Sequence, residues 1–165
     1  MRTSKLLLGT MLGLCFVSSA NAASFSPINT EFALTGGISL TGASGGSTLL
    51  CSMNLVGTTD SAGTATITAG SIAGADLCTS YRVTSFPWTI SAADAGNIRL
   101  DEFFIIPPFP LAPLLFDNKI VAYDSGTFTI PSFRVDFDSP AFPGLDFDAI
   151  YSLTLDTTPV LTIVP

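Results

Sequence analysis

The chain of 165 residues contains no histidine. Without one, no Ser-His-Asp or Cys-His arrangement can be assembled, and the commonest metal ligand is missing. Basic residues are scarce as well. Six Lys and Arg stand against thirteen Asp and Glu, a formal net charge of −7. Nucleic acid and anionic membrane surfaces are bound through basic patches, so neither is an expected partner. The chain has three cysteines, and Cys51 and Cys78 lie too far apart for a zinc-ligand spacing. Beyond residue 22, sustained apolar spacing at three and four residues is missing, so helices are not expected. A Gly-rich phosphate loop then has no helix to open. Lys119 is the one lysine beyond the leader and gives little basis for a Ser–Lys dyad. No cofactor is implied, and a non-enzymatic role is the stronger reading.

The leader itself is informative. Arg2 and Lys5 form a basic start, "LLLGTMLGLCFV" (6–17) an apolar run, and Ala20-Asn21-Ala22 a small-residue cleavage site. This pattern predicts a secretory signal peptide over residues 1–22. A retained anchor is the alternative, but the apolar run is too short to span a bilayer. The expected product is one secreted or cell-surface domain, residues 23–165, with no transmembrane segment. It would keep four basic residues against thirteen acidic ones, a net charge of −9, which holds an apolar chain in solution. Cys51 and Cys78 are then the remaining pair. An even count in an exported chain implies a disulfide, with two separate buried thiols as the alternative. Such a bridge constrains the unfolded chain by about 3 kcal/mol.

Period-two alternation runs through the rest. In "TLLCSMNLVG" (48–57), Leu49, Cys51, Met53 and Leu55 share a face. In "SFRVDFD" (132–138), Phe133, Val135 and Phe137 oppose Arg134, Asp136 and Asp138. In "LDFDAIYSLTL" (145–155), Leu145, Phe147, Ala149, Tyr151, Leu153 and Leu155 line one side. Further strands are predicted over 30–35, 37–41, 64–69, 80–84, 87–91, 97–106, 119–123, 126–130 and 159–164. Short strands between Gly, Ser, Asp and Pro turns predict an all-β fold with antiparallel pairing. A sandwich of the Ig-like, Greek-key type is the first architecture, and a closed β-barrel the second. An outer-membrane barrel is not expected, because too few strands have the length and outward apolar banding.

Three stretches could carry function. "DSGT" (124–127) matches the active-site tetrapeptide of aspartic proteases, whose chemistry needs two aspartates sharing a proton. A tight turn between strands 119–123 and 126–130 is the simpler reading. In "VDFDSPAFPGLDFD" (135–148), Asp136, Asp138, Asp146 and Asp148 could gather on one face, an oxygen cluster of the kind Ca²⁺ takes. A solvated outer face that discourages sheet aggregation is the alternative. The third stretch is "FFIIPPFPLAPLLF" (103–116), fourteen residues with four prolines and no charge. The prolines exclude a helix and, from Pro107 onward, a central strand. The segment either folds over an open end of the domain or exposes Phe109, Leu111, Leu114 and Leu115 as a rigid apolar patch. Phe142 is a candidate second tip.

The order of features resembles a known family. "FSPINTEFALTGGISL" (25–40) leads to a strand carrying Cys51, "TLLCSMNLVGT" (48–58). "GTATITAGSIAGADLC" (63–78) ends in Cys78, followed by "SFPWTI" (85–90) and a closing "PVLTIVP" (159–165). Over residues 24–91 and the last strand, this resembles the small secreted bacterial proteins called protein activator of alkane oxidation. The resemblance implies an extracellular, non-enzymatic protein that disperses or wets hydrocarbon. The residues themselves allow a second role, a structural or adhesive surface protein that self-associates through sheet edges.

Overall fold

Alternating apolar and polar side chains dictate strands here, because period two puts every second side chain on one face. A computed structural model of the protein describes residues 23–42, 48–107, 113–135 and 149–165. In chain order the strands are β1 (Ser24–Ser26), β2 (Glu31–Gly42), β3 (Thr48–Thr59), β4 (Ala65–Ala73), β5 (Arg82–Val83), β6 (Trp88–Asp94) and β7 (Asn97–Asp101). They continue as β8 (Phe103–Ile106), β9 (Leu114–Phe116), β10 (Lys119–Asp124), β11 (Thr127–Val135), β12 (Ala149–Thr158) and β13 (Thr162–Val164). One short 3-10 helix, Asp76–Ser80, lies between β4 and β5.

Eight strands close into an antiparallel barrel in the order β10-β11-β12-β2-β3-β4-β6-β7. A two-stranded ribbon, β1-β13, and a three-stranded sheet, β5-β8-β9, complete the structure. The all-β antiparallel expectation therefore holds, and of the two architectures the closed barrel is the one formed. Closure leaves the barrel without unpaired edge strands.

The inward side chains follow the alternation. Cys51, Met53 and Leu55 of β3 and Tyr151, Leu153 and Leu155 of β12 are buried. Two predicted strands prove to be one. Gly36 and Gly37 do not break β2, whose ladder runs through them against both β3 and β12. A Cβ at Gly36 would collide with the carbonyl oxygen of Thr154, so glycine permits the close approach of the two strands. The reverse occurs over 97–106. Glu102 has a φ of 62°, and this left-handed residue ends β7 and turns the chain out of the barrel into β8.

"DSGT" forms the two-residue hairpin loop between β10 and β11. Asp124 pairs with Thr127, and Ser125 and Gly126 have φ values of 50° and 92°, the left-handed pair such a turn requires. The Thr127 hydroxyl donates to Asp156 at 2.6 Å. The turn reading holds.

One end of the barrel is covered by the β1-β13 ribbon. Phe25 packs edge-on against Tyr123, with ring centroids 5.8 Å apart. The Tyr123 hydroxyl donates to the Leu161 carbonyl at 2.5 Å. Thr59 and Thr157 are buried yet satisfied: Thr59 donates to the Pro27 carbonyl at 2.8 Å, and Thr157 accepts from the Leu161 amide at 3.0 Å. The helix, the Cys51–Cys78 bridge and the three-stranded sheet lie at the other end.

All three tyrosines are inside: Tyr81, Tyr123 and Tyr151. Burial disfavours the phenolate and raises each hydroxyl above its ordinary value, and the neighbouring Tyr81 raises Tyr151 further. A raised folded value means stability that is complete below a phenol's usual pKa of about 10 and is lost as pH climbs past it. Phenolate absorbance should therefore stay absent on alkaline titration until the protein unfolds, then appear for all three in one step. A gradual rise in the folded protein would contradict this arrangement. Asp94 is the acid counterpart. The Gly96 amide and the Asn97 side chain donate to it and hold its carboxyl below the usual range. That stability is present at neutral pH and lost as pH falls through the depressed value. Asp94→Ala should lower the melting temperature at neutral pH, with the difference from the parent vanishing in strong acid.

Candidate functional site

The chain leaves the barrel at Glu102 and returns at Lys119. Between these points β8 and β9 form a hairpin, with β5 as its third strand. Register decides which side chains face out. Phe103 pairs with Phe116, Phe104 with Leu115, and Ile105 with Leu114, while Arg82 pairs with Ile106. Phe103 and Ile105 are fully buried, and Leu114 is 4% exposed. The opposite face carries Phe104, Ile106 and Leu115, with Arg82 at its margin. Leu115 is 62% exposed, and Phe104 is half-buried.

The inner face is anchored by aromatic rings. Phe103 lies on Trp88 with centroids 4.5 Å apart, and Trp88 lies on Phe86 at 4.6 Å. The Trp88 indole N–H donates to the Thr84 carbonyl at 2.8 Å, so its polar group is satisfied in the core. Exposed carboxylates, Glu102 and Asp117, stand at the base of the hairpin. The hairpin is thus apolar on both faces and charged only at its foot.

Of the predicted contact residues, Leu115 is at the surface. Leu114 is not: opposite Ile105 it faces the core, and Leu115 shares its face with Phe104 and Ile106, whose phase in "FFII" marks them as a pair. Phe109, Leu111 and Phe142 lie outside the described residues, as do Asp136, Asp138, Asp146, Asp148 and the leader. Among the described residues, no group of three or more His, Cys, Asp and Glu is placed to hold a metal ion. Nor is any helix among them long and apolar enough to cross a membrane.

Cys51 and Cys78 form the expected disulfide, with an S–S distance of 2.13 Å and Cα atoms 5.4 Å apart. It fixes the 3-10 helix to β3 beside the hairpin's end of the barrel. Two exposed side chains flank it, Leu50 at 72% and Leu77 at 55%.

These features define a class of protein: a disulfide-bridged antiparallel β-barrel that presents an apolar hairpin at one end. The chain belongs to the family of alkane oxidation protein activators, PraA/PraB-like, whose match spans residues 1–165. The family's name gives it an accessory role, activation of alkane oxidation. The match takes in the hairpin as well as the segments that carried the resemblance. No curated protein and no solved structure matches the chain.

The two adjacent leucines test the register. Leu114→Ala should destabilise by about 2–5 kcal/mol, as for a buried leucine, while Leu115→Ala should stay within about 0.5 kcal/mol. Equal effects in urea unfolding would mean that the two are not on opposite faces.

Proposed function

We propose that the protein is secreted, acts without catalysis, and aids hydrocarbon use by emulsifying or wetting alkanes. The observation that carries this reading is the outward face of the three-stranded sheet, where Leu115 stands exposed beside Phe104 and Ile106. The inner face of the same sheet is committed to the core, and on the outer face Leu115 is left 62% exposed. At an oil–water boundary it leaves water at a gain of about 1.5–3 kcal/mol for each large side chain fully covered. Carboxylates elsewhere stay hydrated, and the particle adsorbs with its hairpin in oil. Membership of a family of alkane oxidation activators supports the same partner.

The second role, a structural or adhesive protein assembling through sheet edges, has less to work with. The closed barrel offers no edge, and unpaired edges among the described strands belong to the ribbon and the three-stranded sheet.

Hexadecane–water interfacial tension and emulsion lifetime, measured with the purified mature protein, test the reading. The parent should lower the tension. A variant with Phe109, Leu111 and Leu115 changed to serine should lose most of that effect while keeping its circular dichroism and melting temperature. A folded parent that leaves the tension unchanged would overturn the proposal. A variant as active as the parent would move the contact off the hairpin.

A further inference from the structure

The outward face of the three-stranded sheet carries a cation. Tyr81 is buried and Val83 packs against the core, so alternation along β5 turns Arg82, between them, outward. Arg82 is exposed, and its cross-strand neighbour is Ile106. It is the one charged residue of the sheet, since β8 and β9 read "FFII" and "LLF". In a chain with so few basic residues, one of them stands beside an apolar surface.

Register sets the spacing on this face. Arg82 is level with Ile106, and Leu115 is level with Phe104, two residues nearer the foot of the hairpin. From Arg82 to Leu115 is two strand spacings of about 4.8 Å and two residues of about 3.3 Å, a diagonal of about 12 Å. Ile106 and Phe104 flank the middle of that line. An extended alkyl chain with C–C bonds of about 1.5 Å covers the distance in about ten carbons.

The carboxylates at the foot stand at the other end. Glu102 lies four residues from Ile106, about 13 Å along an extended strand, and Asp117 follows Phe116, the partner of Phe103. That separation exceeds the screening length of about 8 Å at physiological salt, so the acidity of the foot does not cancel the field at Arg82. A guanidinium donates two parallel N–H bonds to a carboxylate, a fork that an ammonium lacks. A neutral alkane makes no use of this fork, whereas an alkyl chain with an anionic head does.

We infer that this face binds a long-chain alkanoate, its carboxylate accepting from the Arg82 guanidinium and its tail lying over Ile106, Phe104 and Leu115. The inference rests on the outer face being the apolar contact, and it names a more selective ligand for that contact. The class of reaction that supplies the ligand is terminal oxidation of an n-alkane, which keeps the chain length and leaves an anion at one end. Membership of a family of alkane oxidation activators agrees with that source.

Equilibrium dialysis of the purified mature protein against dodecanoate, below the concentration at which it forms micelles, tests the inference. Dodecyltrimethylammonium serves as the cationic probe of equal chain length. Dodecanoate should bind, and the cation should bind at least about tenfold more weakly. Arg82→Gln, at an exposed position, should weaken dodecanoate at least about tenfold. Its circular dichroism and its effect on hexadecane–water tension, measured without dodecanoate, should match the parent. Leu115→Ser should weaken dodecanoate binding as well. Absence of dodecanoate binding, equal binding of the cation, or Arg82→Gln binding as tightly as the parent would overturn the inference. Arg82 would then be an edge charge that discourages strand addition. Binding to phosphatidylglycerol vesicles in preference to dodecanoate would overturn it in favour of a membrane headgroup. The two readings fail separately. A parent that binds dodecanoate but leaves hexadecane tension unchanged keeps the alkanoate site and loses the emulsifying role. One that lowers the tension without binding dodecanoate does the reverse.

Discussion

Everything distinctive about this molecule depends on the pairing of β7 with β10. Four residue pairs, from Lys119–Leu100 to Ala122–Asn97, close the barrel. These are the strands between which the apolar hairpin is inserted, so one ladder both seals the core and holds the two feet of the hairpin together. Were β7 and β10 to part, the barrel would gain two free edges and the hairpin would lose its base. The closing pair is non-local in the chain, which makes it an ordering step rewarded only after loop closure.

The hairpin is stiff for a second reason. Its inner face is continuous with the barrel core through the Phe86, Trp88 and Phe103 rings, and on its outer face Phe104 is partly buried against the core while Leu115 stays exposed. A loop with so much apolar surface would ordinarily collapse onto the protein. Here the inner side chains already occupy that place, and Leu115 is left exposed on the other side. Charge completes the asymmetry, since Glu102 and Asp117 mark the level at which the apolar surface begins.

Local patterns in the sequence foretell the strands and their inner faces well, because alternation in β3 and β12 is imposed by the core on every second residue. Non-local pairings were not legible. Choosing a barrel over a sandwich turns on whether β7 meets β10, and no stretch of sequence encodes that meeting. Gly36-Gly37 reads locally as a break, yet its meaning is a close approach to β12. Glu102 carries no residue-type signal for a left-handed backbone, so 97–106 reads as one strand. Within the candidate site, an apolar run without alternating polar residues cannot tell Leu114 from Leu115. Only the pairing of Ile105 with Leu114 does so.

The ribbon over the far end has a consequence for the topology of the chain. Ser24 lies opposite Val164, and Ser26 opposite Thr162, so the first and last strands are neighbours and the path is nearly a ring. A short linker joining them would close that ring at small entropic cost, and the fold could then be opened elsewhere by circular permutation. The same adjacency gives the particle a polarity. A tether attached beside β1 or β13 holds the barrel by its ribbon end, with the apolar hairpin at the other.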